Sequence, residues 1–232
     1  MAAVTNLLAT PFESTTNSST YTTPSVTPAA GDLLIVFVGA TGKGGALTSI
    51  SDSLGGAYVM PDFFLATSSA DMITIGVASQ LASGSSLTVT VNTGSAATGC
   101  AIHIAKVTGM TNVGNAAVRQ HNGTDNGTSG TTPAPSFGVA ALTSNPTVGM
   151  VGSGSLTAVT PPTNWTELAE GAGFITPNWL QESVGRDSGF TGTTITWGNT
   201  RAAVFGAYIM ELDASGAAAA VIPDVNMAEI RA

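Results

Sequence analysis

Between Leu33 and Leu212 the chain is a succession of short apolar or alternating runs, most of them closed by Gly, Asn, Asp or Pro. None has the length or the three-to-four-residue period of an amphipathic helix. Leu87 to Val91 reads Leu-Thr-Val-Thr-Val, the alternation of a strand with one face in a core. Leu33 to Val38 is continuously apolar and follows the turn pair Gly31-Asp32, which predicts a strand buried on both faces. Strands are also expected at Ile50–Val59 around a Gly55-Gly56 turn, Met72–Ala78, Ala101–Val107, Thr147–Val151, Trp165–Leu168, Trp179–Val184, Thr193–Trp197 and Val204–Leu212. Charged residues make up 9% of the chain, against a usual share of about 25%. Polar positions fall instead to Thr, which suits a pleated surface, and to Ser, Asn and Gly, which suit turns. The fold class that follows is all-β: an antiparallel β-sandwich, jelly-roll-like.

The two halves of the chain resemble each other. Thr22-Thr23-Pro24 recurs as Thr131-Thr132-Pro133, and Asp32–Gly39 is echoed by Asn145–Gly152. Leu87–Val91 matches Thr193–Trp197, and Lys106 and Glu211 hold the same late position in the closing strands. The offset drifts between about 105 and 113 residues, too long for a solenoid. Two similar half-sandwich repeats are expected, either pairing into one large sandwich or standing as tandem lobes. The organisation read from the sequence is an N-terminal arm at 1–21 with at most one edge strand, a first β half at 22–113, and a polar loop or linker at 114–130. A second β half at 131–213 and a C-terminal tail at 214–232 follow. The Gly39–Gly45 stretch is expected to be a loop. In the tail, Pro223 and Asp224 could open a short helix.

Catalysis requires positioned titratable groups, and few are offered. His103 lies in an alternating strand, where a hydrogen-bonded structural imidazole is expected, and His121 lies in a polar stretch. They lack the spacing that places two imidazoles on one metal. Gly42-Lys43-Gly44-Gly45 lacks the rest of a phosphate loop, and Asp125-Asn126-Gly127 is half of a calcium loop without its later Glu. The acidic residues Asp32, Asp52, Asp62, Asp71, Glu167, Glu170, Glu182 and Asp187 are spread singly. The sequence does not exclude that two of them meet, as glycoside hydrolysis would need. Cys100, the single cysteine, has no neighbouring cation to activate it. Trp165, Trp179 and Trp197 fall in or beside predicted strands, which points to core packing rather than to a sugar platform. No catalytic residue, cofactor or metal is expected.

A net charge of −8 with only six Lys plus Arg argues against a nucleic-acid partner. No apolar run is long enough for a membrane-spanning helix, and Met1–Pro11 lacks the cationic start of a secretory signal. Two origins fit an extracellular-type composition without an export signal or disulfide. One is a protein made in a bacterial host cytoplasm and released in a phage particle. The other is a mature fragment whose signal has been removed.

The segments TTPSVTPAAGDLLIVFVGA (22–40), SDSLGGAY (51–58), TPPTNWTEL (160–168) and TTITWGNTRAAVFGAYIMEL (193–212) resemble a class of phage-encoded β-sandwich virion proteins, capsid-decorating or tail-associated. The resemblance implies a structural virion protein, with a capsid decoration (cement) role first. Its partners would be the major capsid protein or other virion subunits, and copies of itself in a homo-oligomer. A tail-fibre or adhesin-like carbohydrate-binding module is the alternative. Ile222, Val225, Met227 and Ile230 in the tail are the candidate partner-binding residues.

Overall fold

In the computed structural model, residues 2–67, 70–175 and 177–214 are described. The candidate tail residues Ile222, Val225, Met227 and Ile230 lie outside them. The fold is all-β. The first half contributes β1 (Ala3–Asn6), β2 (Phe12–Ser14), β3 (Ser18–Thr22), β4 (Leu33–Thr41), β5 (Ser49–Asp52), β6 (Tyr58–Val59), β7 (Phe63–Ala66), β8 (Asp71–Ala78), β9 (Val89–Ala97) and β10 (Gly99–Thr108). The second contributes β11 (Val118–Gly127), β12 (Thr147–Ser153), β13 (Thr166–Glu170), β14 (Phe174–Ile175), β15 (Asn178–Arg186) and β16 (Phe205–Leu212). Gly114–Ala117 forms a 3-10 turn between them.

Both halves build their large sheet in the same order. In the first it runs β1-β10-β4-β8-β6, and in the second β11-β16-β12-β15-β13. In each, the closing strand lies between the opening strand and the first long strand, which then pairs with the next long strand. A third sheet, β3-β9-β5, covers the outer face of the first large sheet. Its counterpart over the second sheet is reduced to one bridge, Ser136 to Thr194, and backbone bonds such as Trp197 N to the Pro133 carbonyl. The chain alternates between large sheet and cover in jelly-roll fashion, once per half.

The two large sheets face one another over a shared core. Phe37, Ile73 and Ile104 of the first half and Met150, Trp179, Tyr208 and Met210 of the second belong to one buried cluster. A second cluster, with Val151, Val184, Ile195, Trp197 and Ile209, lies between the second sheet and its cover. The halves therefore form one continuous sandwich stack. β4, β8 and β16 are buried along their whole length because both faces of each are covered.

Three segments differ from the sequence expectation. The 1–21 arm is built into the fold: β1 and β2 pair with β10, β3 pairs with β9, and Ala2, Val4 and Leu8 are buried. The Tyr21 hydroxyl donates to the Thr16 and Ala97 carbonyls, both at 2.9 Å. The 114–130 stretch contains β11, a polar edge strand pairing with β16 across two register shifts. β4 continues through Gly39 to Thr41, so the loop begins only at Gly42. In the other direction, Thr193–Trp197 contributes a bridge residue rather than a full strand.

Candidate functional site

The groups with chemical potential lie inside the fold. His103, on the inner face of β10, is 1% exposed, and its Nδ1 meets the Ser183 hydroxyl of β15 at 2.9 Å. Ser183 in turn donates to the Ala169 carbonyl at 3.3 Å. A histidine-serine pair is the beginning of a nucleophilic site, but here both members are sealed between two sheets. Burial pushes the His103 pKa down to about 3, so its imidazole is neutral. Burial likewise raises the Cys100 thiol well above its ordinary value, leaving an inert side chain.

The acidic residues mostly tie loops and sheets together. Asp52 accepts the Leu54 and Gly56 amides within its turn, Asp71 accepts Gly42 N at 2.7 Å, and Asp187 accepts Val4 N at 2.7 Å across the halves. Asp125, from the half calcium-loop motif, accepts Leu65 N at 2.5 Å. Lys106 pairs with Asp32 at 3.1 Å. Its positional counterpart Glu211, 0% exposed, pairs with Arg119 and also accepts from Gln120, Asn145 and Leu142 N. Among the described residues no group of three or more His, Cys, Asp or Glu side chains is arranged to hold a metal ion.

Of the three tryptophans, Trp179 and Trp197 are buried. Trp165 is half-buried, with its ring edge-on to Phe190 at 5.7 Å, and the Arg186 guanidinium lies over the other ring of that pair. The exposed aromatic face that a three-tryptophan sugar platform needs does not form.

The opening best suited to a contact lies elsewhere. A largely apolar cavity of about 630 Å³ is lined by Ala2, Gly109, Leu142, Thr143, Ser144, Ser188 and Ala214. Leu142 is 46% exposed and nearby Val139 57%, the most exposed large apolar side chain of the described residues. The cavity gathers the start of the chain, the end of β10 and the point where the described chain ends. Sequence reading missed this surface. Its signal was Val139-Ala140-Ala141-Leu142, an apolar run without strand alternation between Gly138 and Ser144.

No protein-family model matches the chain, and no curated protein matches it.

Proposed function

We propose that the chain is a non-catalytic structural protein of a bacteriophage particle, a capsid decoration or cement protein acting through contacts with neighbouring subunits. The observation that carries this reading is the apolar opening at Ala2, Leu142 and Ala214, set on a sandwich whose reactive side chains are sealed. A rigid stack offering a modest apolar surface suits repeated attachment to a symmetric lattice, where many weak contacts add up. The sequence resemblance to virion β-sandwich proteins supports the same setting. The N-terminal arm is woven into the sheets, so the tail is the stronger candidate for a bridge to neighbours. In it, Ile222, Val225, Met227 and Ile230 are the anchors on the major capsid protein or on a second copy.

The glycan-binding alternative keeps one supporting feature, the half-buried Trp165 beside Phe190 and Arg186. Mass spectrometry of purified virions, followed by cryo-EM, tests the leading reading. The protein is expected on the particle surface at symmetric positions. A chain ending at Ala214, or carrying Met227→Ala with Ile230→Ala, should lower its occupancy. Absence from virions, or full occupancy by the truncated chain, would overturn the assignment.

A further inference from the structure

The second half hides a second cluster of charge. Glu182 of β15 is 0% exposed and alternates with Leu180 and Val184, so it shares with them the outer face of the sheet, the side on which Val159 packs. The strand register puts Glu170 of β13 directly across from it. Like charges in that arrangement repel. The Arg201 guanidinium, also 0% exposed, donates to the Ser155 carbonyl at 3.0 Å and to the Ala158 carbonyl at 3.4 Å. Glu170 accepts Val159 N at 2.5 Å. Asn199 donates to the Ala158 carbonyl and accepts Thr160 N, at 2.8 and 3.0 Å, and Gly198 N bonds the Thr160 carbonyl at 2.8 Å. Among the described residues, the Glu182 carboxyl oxygens, Arg201 Nε and Trp197 Nε1 make no hydrogen bond of full geometry, although the Trp197 side chain lies close enough to Glu182 to favour its ionised form.

The cluster holds more carboxyl groups than cations. Among the described residues Arg201 is the one buried cation facing the carboxyls of both Glu170 and Glu182, so Glu182 fits as a neutral acid. Losing its proton leaves an extra buried negative charge facing Glu170. That charge can be relieved if the guanidinium turns toward Glu182, abandoning the Ser155 and Ala158 carbonyls, or if the covering segment lifts and admits water. Both routes break the same fastening.

We propose that Ser155–Thr160 is a proton-controlled strap, held down while Glu182 is protonated and released when Glu182 ionises. Burial, then the carboxylates of Glu170 and Glu167, raise the Glu182 pKa to about 8, with Trp197 and Arg201 pulling the other way. On its other side β12 places the uncharged Val151 opposite Glu182. Release uncovers Val159 and the Trp197 ring, both buried in the closed state, and so creates a new apolar surface on the outer face of the second half.

Hydrogen–deuterium exchange of the full chain between pH 6 and 9.5, corrected for intrinsic rates, tests the strap at the Val159 and Thr160 amides. Protection is expected to fall by about tenfold per pH unit from pH 6 to near pH 8, the loss expected for one linked proton, and to level off above it. In Glu182→Gln it should stay flat. In Glu170→Gln, which keeps an acceptor for Val159 N but removes the opposing charge, the decline should level off at lower pH as the Arg201 cation is left to favour ionised Glu182. Constant protection in the wild type through pH 9.5, or the same transition in Glu182→Gln, overturns the proposal. Should Glu182→Gln fail to fold, a decline that levels off at the same pH in Glu170→Gln as in the wild type does so.

Discussion

Trp179 shows how closely the two large sheets approach. Its indole lies between Gly39 of β4 and Gly152 of β12, where a Cβ at Gly152 would come within 2.5 Å of the ring. Both glycines are needed for space rather than for backbone conformation. Gly39→Ala forces the ring, the neighbouring Gln181 or a strand to shift, and overpacking of this kind costs about 1–3 kcal/mol. Denaturant melts should show that loss. Trp179→Phe in the same chain should recover part of it, giving a double-mutant cost below the sum of the single ones. Additive costs would show that Gly39 and Trp179 do not compete for the same space. The burial of Trp179 was legible from its place in a strand pattern. The role of Gly39 was not, because the side chain that fills its missing Cβ position lies in the other half of the sequence. His103 was legible as a structural imidazole, while its partner Ser183, far along the chain, carried no local signal.

At the level of elements, apolar periodicity identified the long buried strands and missed several short or polar ones, β11 above all. β4, β8, β10, β12, β15 and β16 all coincide with runs read from the sequence. β11 has the sequence Val-Arg-Gln-His-Asn-Gly-Thr-Asp-Asn-Gly and is mostly half-exposed, so its composition resembles that of a linker. Its strand character comes from the free edge of β16 and from long-range contacts: Asn122 donates to the Ser136 carbonyl and Gln120 to the Val139 carbonyl. The register shifts along it roughen an edge that could otherwise pair with another chain. Gly123 is where β7 crosses this strand, with Phe64 about 2.6 Å from where its Cβ would lie. Gly123→Val should therefore detach β11 from β16 without dismantling the central strands. Amide exchange would show faster opening at 118–127 and unchanged protection in β12; uniform loss across both would mean that β11 is not a separable element.

For the whole molecule, the shared strand order of the two large sheets organises the architecture. Each half makes a large sheet whose two faces both need covering, and the other half supplies the cover that one half lacks on its inner side. The cost is that the ionisable groups caught at these interfaces are held in particular protonation states, which sets how stability depends on pH. The His103 pKa falls from 6.5 to about 3, so its contribution is complete above pH 6.5 and is lost as the pH drops toward 3. Asp71 and Glu182 act in the opposite sense. Burial raises them from 3.8 to about 6 and from 4.5 to about 8, so their contributions are complete below the lower values and are lost as the pH rises through the higher ones. Of these three groups, only His103 acts below pH 3.8, and only Glu182 still erodes stability between pH 6.5 and 8. Thermal melts should therefore place the optimum near pH 4 to 5, mildly acidic for a protein, with a further decline from pH 6.5 to 8. Glu182→Gln should abolish that last decline while leaving the acid limb intact, because the acid limb belongs to His103 in the other half. An optimum at or above pH 7 would mean that the buried acids are ionised in the folded chain.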